Sequence, residues 1–540
     1  MATIGISDLN NRFEALQEKN LKQKDIWTEI TKYTNPSMNL MFESENTAGK
    51  TYANDVYDTT AINAVSTFTD GVVGNYVSKS GLWMGMMAVD PEVNKKKAVQ
   101  EFLQDVNQRM YATLSRSNFY DVISQYTKLG ITVATATMYV QEDPRTGRIV
   151  FSVRHPSEIF IDQDWYGKVD TGFRNIVVTA KAAGDFFFKE KSKFSDALTK
   201  AVVDTPDDLF TFRHGVFPAS GEWFKYPGVK GNHASVYWEA SETKELSIGG
   251  YDTFPFVSWR YRQDGNEIYG RGPSHDALPD IKNVNAMKLD MMKASHKQAD
   301  PPLNIPMEMK GKVRNKPGGA NYYGDPGRLV MPFQSQGNIP VGRSELEDMR
   351  RQVEAHYYVP YFKMLTGLTQ RMTSYEVGQR KAEQGTLLST PIIKYESEAL
   401  DELLFRVFEL ENAAGRMPEV PNELKGEVTW QYFGQLAQQQ IRTSKNDGIS
   451  ATLADLERIA PFAPEILQAF NWTETARALA INNGFPAKNI YTQAEIEKAQ
   501  AAAAQAQQQQ QQMQAAESMG KAMPGLNQPI VPGSPAEELL

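Results

Sequence analysis

The sequence predicts an α+β chain, mainly helical, and three observations carry that expectation. Apolar residues recur every three or four positions over most of residues 1–130 and again beyond residue 390. Between residues 131 and 262 the period drops to two. The third observation is a pair of long helical patterns, Gly272–Ala299 and Ser344–Tyr361, separated by a stretch dense in Gly, Pro and Asn. At 540 residues the chain exceeds what one core sustains, so two to four domains are expected, and 41% hydrophobic residues can build them.

In chain order, Ser7 or Asp8 can cap a first helix carrying Phe13, Leu16, Trp27, Ile30 and Tyr33 that stops at Asn35-Pro36. A polar loop, 43–54, leads to a second helix with Val56, Ile62, Val65, Phe68, Val72 and Tyr76 on one face. Val93, Val99, Phe102, Val106, Met110 and Leu114 mark a third. From Ile131 a β-hairpin is expected, turning at Pro144–Arg148, followed by short strands near 159–161, 176–179, 211–217, 235–240, 245–248 and 254–259 and one helix over 185–200.

Pro273 opens the first long helix at a position where the missing N–H is not needed. Its stripe, Ala277/Leu278, Ile281, Val284, Met287, Met291 and Ser295, is narrow for a helix about 42 Å long. Such a helix reads as a strut that needs neighbours. The insert 303–342 reads as a small excursion domain, because loops this long are uncommon inside compact domains. The returning helix, with Pro360 bending or ending it, should then lie antiparallel to the first. A loop with weak periodicity spans 370–390; Ile392, Tyr395, Ala399, Leu403, Val407 and Leu410 define another strong helix. A short strand is expected at 428–433, helices over 435–460, 464–470 and 474–481, and a low-complexity Ala/Gln tail from Gln493.

Chemistry is thin. There is no cysteine, which removes disulfides, thiolate metal sites and a Cys nucleophile. No phosphate-binding loop, nucleophile elbow or metalloprotease motif appears, and the six histidines are scattered, so no catalytic residue, metal ligand or cofactor is expected. Asp276 and Asp280 form an i, i+4 carboxylate pair that reads as complementing the helix dipole. Gly270, Arg271, Gly272 and Pro273 read as a sharp turn into a helix rather than a nucleotide fingerprint. Two basic groups divide between a solvated loop and a surface facing DNA or an acidic partner: Lys310, Lys312, Arg314, Lys316, and Gln370, Arg371, Arg380, Lys381. The net charge of −8 argues against a protein whose main business is gripping phosphates. No apolar run of 18 residues and no basic-then-apolar N-terminus appear, so a soluble, non-secreted product without membrane anchoring is expected.

The order of these parts, with DIWTEITKYTNP (25–36), VYDTTAINAVSTFTDGV (56–72), FPFVSWRYRQDGNEIYGRGPSHDALPDIKNVN (254–285) and MTSYEVGQRKAEQGTLLSTP (372–391), resembles the portal proteins, the head-to-tail connectors of short-tailed, T7-like phages. The likeness spans roughly residues 9–440. Asp58-Thr59-Thr60-Ala61 departs from the family's Asp-Ser/Thr-Thr-Gly, and the tail beyond 490 has no counterpart. The resemblance implies a portal fold assembling as a ring, normally a dodecamer. It implies a wing (1–265), a first stem helix (266–302), a clip (303–342), a second stem helix (343–369), a tunnel loop and long helix (370–414) and a crown (415–492). It further implies a non-enzymatic role at one capsid vertex of the virion, assembled in the host cytoplasm. Double-stranded DNA would pass through during packaging and ejection. Terminase and later a tail adaptor or tail tube protein would dock on the clip, with scaffolding, internal-core and major capsid proteins as neighbours. The tunnel-loop residues would face DNA and the four clip cations would face terminase or adaptor. The alternative is an internal-core or scaffolding protein, which would show long uninterrupted helices without a helix-insert-helix hairpin.

Overall fold

The structure, a computed structural model, describes residues 2–38, 54–366 and 393–433, except for interruptions at 80, 220–223, 243–244, 266, 317–318, 323, 325–326, 328, 333–338 and 425–427, with a few single positions beyond. The expected helices over 435–481, the Ala/Gln tail and the loop 370–390 lie outside the described residues, apart from those single positions.

The chain divides into two compact units. The first comprises Met1–Gly85, Asn107–Pro418 and Tyr432–Gly434. It begins with β1 (Ala2–Thr3), α1 (Ile6–Leu21), α2 (Lys24–Thr34) and α3 (Thr60–Tyr76). The single helix expected over the first 35 residues is thus two, and its cap is Gly5, whose N–H donates to Asp8 Oδ2 at 3.0 Å. The reason is that its two apolar stripes serve different cores. Leu9, Phe13 and Leu16 pack on a sheet through Phe160 and Phe173, whereas Trp27 meets Tyr269 edge-on at 5.3 Å.

That sheet contains β5 (Ile159–Gln163), β6 (Val169–Thr179), β7 (Leu209–Pro218), β9 (His233–Glu239) and β10 (Glu245–Tyr251) in antiparallel order 10-9-7-6-5; the two-residue strand β8 (Phe224–Lys225) pairs with β1 instead. Alternation sorts its side chains: Phe173, Val236 and Trp238 face α1, while Phe212 and Leu246 face α7 (Ala180–Phe186) and α8 (Asp196–Asp204). Those two helices and a 3-10 turn, Phe188–Lys193, replace the one helix expected over 185–200. Thr179 and Ser195 cap them, each accepting a backbone N–H, so the segment is capped twice.

A second antiparallel sheet places β3 (Thr135–Glu142) between β4 (Ile149–Arg154) and β11 (Phe256–Arg260). The hairpin turns where expected, with Asp143 N–H bonded to Arg148 O at 2.8 Å and Gly147 at φ 65°. Its first strand starts later than Ile131, however, because α6 (Phe119–Val133) continues to Val133 and Ala134 then reverses the chain at φ 60°. Burial decides this: Ile131 and Val133 are fully buried, and tertiary packing overrides their β preference.

Two long helices follow, α9 (Pro273–Ala299) and α10 (Ile339–His356), and α11 (Val359–Thr366) completes the run. Ser274 bonds Tyr357 at 3.0 Å near one end, and Met291 lies beside Gly342 near the other, so α9 and α10 run antiparallel. The return helix starts at Ile339, five residues before Ser344, and breaks at Tyr358, φ 53°; Pro360 opens α11 rather than closing α10. Between α9 and α10, the short strands β12 (Leu303–Asn304) and β13 (Met331–Pro332) pair. After residue 392 the chain forms a π-helical turn, Tyr395–Leu400, that runs into α12 (Asp401–Ala413).

The second unit comprises Met86–Val106, Glu419–Gln431 and Gln435–Leu540. Among its described residues are α4 (Pro91–Asn94), the start of α5 (Lys97–Arg116), and most of the ladder formed by β2 (Met84–Ala88) and β14 (Val428–Tyr432).

Candidate functional site

The turn expected at Gly270–Pro273 is built by close approach. A Cβ on Gly270 would lie 2.3 Å from the carbonyl oxygen of Ala134, the residue that reverses the chain after α6. The same glycine donates its N–H to Thr135 Oγ1 at 2.8 Å, and Arg271 N–H bonds Arg262 O at 2.7 Å. Arg271 reaches back to Glu267 with two bonds of 2.8 and 2.9 Å, which holds the Glu267 carboxyl below its usual range. Arg262 contacts Asp264 and Asp276. His275 Nδ1 accepts the Gly272 N–H at 3.3 Å, and burial lowers its pKa to about 4, so it stays a neutral acceptor. Pro273 occupies the first helical position, as its chemistry demands.

From this entrance α9 is anchored over half its length only. Ala277, Leu278, Ile281 and Val284 are buried, Lys282 pairs with Glu29, and Asn285 accepts the Tyr57 N–H at 2.7 Å while donating to Asp55 O. Beside it, Arg350 of α10 clamps the buried Asp58 at 2.9 Å. Burial would raise the Asp58 pKa, but hydrogen bonds from Thr60 and Arg350 win and lower it. Beyond Met291 every residue of α9 is exposed. Large apolar side chains are also exposed there: Met292, Ile305, Met307 (81%), Tyr322 (87%), Met331 and Val341.

The carboxylate pair of the sequence is divided. Asp276 faces Arg262, and Asp280 bonds His356 Nε2 at 3.0 Å. Both line an open cavity of about 530 Å³ at the base of the hairpin, with Tyr261, Pro273, Ala355 and Tyr358 as its apolar wall. That cavity is not legible in sequence, since its walls come from three separated segments.

Residues 7–491 match the family described as bacteriophage head to tail connecting protein. The chain belongs to that family. Two portal proteins are similar to it over most of their length. One is a "Probable portal protein" of Bordetella phage BPP-1, 26% identical over 83% of this chain and 82% of its own. The other is a "Portal protein" of Salmonella phage epsilon15, 24% identical over 87% of this chain and 86% of its own. The match to the connecting-protein family runs further than residues 9–440, the extent expected from the motifs.

In this connecting protein the predicted groups are placed as follows. Gly270, Arg271, Gly272 and Pro273 come together at the entrance turn. Lys310, Lys312, Arg314 and Lys316 are exposed beyond the end of α9, and none pairs with a described carboxylate. Asn321 pins their loop by accepting the Arg314 N–H at 2.6 Å and donating to Arg314 O. Gln370, Arg371, Arg380 and Lys381 lie outside the described residues. Among the described residues no cluster of His, Asp and Glu is arranged to hold a metal, and no helix is long and apolar enough to cross a membrane.

Sequence reasoning missed the buried pair behind the entrance. Arg260, 2% exposed, meets Glu398 through contacts of 3.0 and 3.3 Å and also donates to Gln163 and Gly167 O. Lys394 bonds the same Glu398 at 2.7 Å. The π-helical turn is thereby tied to β11 directly after the segment 367–392. A lone Arg at the end of an apolar strand, FVSWR, was the available signal.

Proposed function

We propose that this chain is the subunit of a portal ring at one capsid vertex, a non-enzymatic conduit through which double-stranded DNA is packaged and later ejected. The observation that carries this reading is the half-anchored hairpin. Apolar side chains concentrated from Met292 to Val341 are exposed in a single copy, and exposed apolar clusters of that kind mark protein contacts. Packing each hairpin against the next around a closed rotation buries them, and a heterologous interface that closes gives a ring. Family membership over residues 7–491 supports the same reading.

In this account residues 1–265 are the wing, 266–302 and 343–369 the two stem helices, 303–342 the clip that docks terminase and then tail proteins, 370–414 the tunnel loop and long helix, and 415–492 the crown. The acidic chain, −8 per copy, holds duplex weakly, which suits sliding because strong phosphate contacts would have to be broken at each step. Arg371, Arg380 and Lys381 supply a local positive ring on the tunnel loop. The mass of the purified assembly by native mass spectrometry tests the reading: a closed oligomer, expected to be a dodecamer, supports it and a monomer at micromolar concentration refutes it. Alanine at Arg371, Arg380 and Lys381 together should impair packaging or genome retention; unaltered packaging and ejection remove those residues from the DNA path.

A further inference from the structure

Outside the hairpin, the most exposed aromatic side chains of the described wing sit on one tight turn between β5 and β6. Trp165 is 95% exposed and Tyr166 91%. The turn is rigid. Asp164 N–H bonds Lys168 O at 2.8 Å, the Asp164 carboxylate accepts the Tyr166 and Lys168 N–H groups, both at 2.8 Å, and Gly167 adopts φ 85°. The buried Arg260 donates to Gly167 O at 2.6 Å, and Lys168 pairs with Glu402. The backbone that carries the two aromatics is thus already ordered, so a partner that covers them has only their side chains to order, and large aromatics with two χ angles make economical interface anchors.

The receiving surface is on the same chain. Arg260 ends β11, and antiparallel pairing continues past it, with Tyr261 N–H bonding Ala134 O at 3.0 Å and Arg262 bridging Arg271, so the side chains of Arg260 and Tyr261 leave opposite faces. Arg260 reaches the Trp165 turn; Tyr261 borders the 530 Å³ cavity at the hairpin base. Anchor and cavity are therefore reached from different faces of one strand end and are two different surfaces of the copy, as a head-to-tail contact between identical copies requires. The cavity suits an indole: Tyr261, Pro273, Ala355 and Tyr358 offer apolar wall, and the partly exposed carboxylates of Asp276 and Asp280 can accept its N–H.

We propose that the Trp165–Tyr166 turn of one copy inserts into the cavity lined by Tyr261, Asp276 and Ala355 of a second copy of this chain. The proposal rests on the ring reading above and names a contact that closes the ring at wing level. Because the chain has no cysteine, engineered thiols test it cleanly. Copies carrying Tyr166→Cys, which keeps Trp165, are mixed with copies carrying Ala355→Cys, assembled, and treated with a short bismaleimide. The expected product joins 166 to 355 between copies, in clear excess over the product with Val203→Cys, an exposed control on α8. Trp165→Ala should leave the melting temperature of the single copy unchanged, since its side chain is 95% exposed there, yet weaken association about thirtyfold, the scale of losing one aromatic anchor. If wild-type chains never form rings, the ring reading fails and the contact with it. If rings form while 166 links to no second copy at 355, or Trp165→Ala assembles like wild type, the contact is refuted and the ring stands.

Discussion

Gly270→Ala tests the entrance turn with a single methyl. The new Cβ would stand 2.3 Å from Ala134 O and 3.2 Å from both Arg260 Cβ and Arg262 O, so backbone rather than a pliable side chain must move. Overpacking of this kind costs about 1–3 kcal/mol. Moving the turn also strains the Gly270 N–H bond to Thr135 at 2.8 Å, worth about 1 kcal/mol. The expected loss is about 2–4 kcal/mol, a large share of a stability of about 5–15 kcal/mol. Gly272→Ala brings its Cβ to 3.0 Å from the Ala134 methyl, a contact that can relax, and should cost about 1 kcal/mol. Gly74→Ala, inside α3 with nothing within 4 Å, should gain about 0.5–1 kcal/mol from helix propensity alone. Urea unfolding followed by tryptophan fluorescence orders the three. Gly270→Ala within 0.5 kcal/mol of wild type, or less damaging than Gly272→Ala, would refute the close-approach argument.

Other expectations follow from the buried charges. Glu398→Ala leaves Arg260 enclosed without its counter-charge, so about 3–5 kcal/mol should be lost in a thermal or urea melt, whereas a loss below 1 kcal/mol would mean the pair is dispensable. Burial, with Asp401 adding repulsion, raises the Glu396 pKa to about 7. The folded chain therefore holds a proton that the unfolded chain has released between pH 4.5 and 7, and stability falls as pH rises through that window. Glu396→Gln should raise the unfolding free energy from urea melts at pH 8 by about 1 kcal/mol once the group's partial exposure is allowed for, and leave it nearly unchanged at pH 4.5. An equal effect at both values would contradict the assignment. Asp58 has the opposite sign: its lowered pKa stabilises above pH 3.8 and is lost as pH falls through the folded value, a loss that Arg350→Ala should reduce.

What the sequence disclosed is whatever is periodic or punctuated. The α9 stripe, its Gly-Arg-Gly-Pro entrance, the Pro144–Arg148 turn and the alternating strands depend on local spacing and turn chemistry. What it concealed depends on partners far away in the chain. The stripe Phe13–Leu16 and the stripe Trp27–Ile30 look continuous until one meets a sheet and the other Tyr269. Val133 looks like strand until α6 is buried, and Glu398 looks like an exposed helix residue until Arg260 is placed opposite it. Asp276 and Asp280 were visible as a pair, but not that Arg262 and His356 would part them. The exposure of the far half of α9 was legible only as a stripe too narrow for a core helix, and that of Met307, beyond the helix, was not legible at all.

Negative-stain images of the purified full-length chain bear most directly on the account. A ring with a central opening, its copies related by one closed rotation, is the predicted result. Compact single particles without an opening, at concentrations where the protein is well folded, would contradict the connector reading of the hairpin.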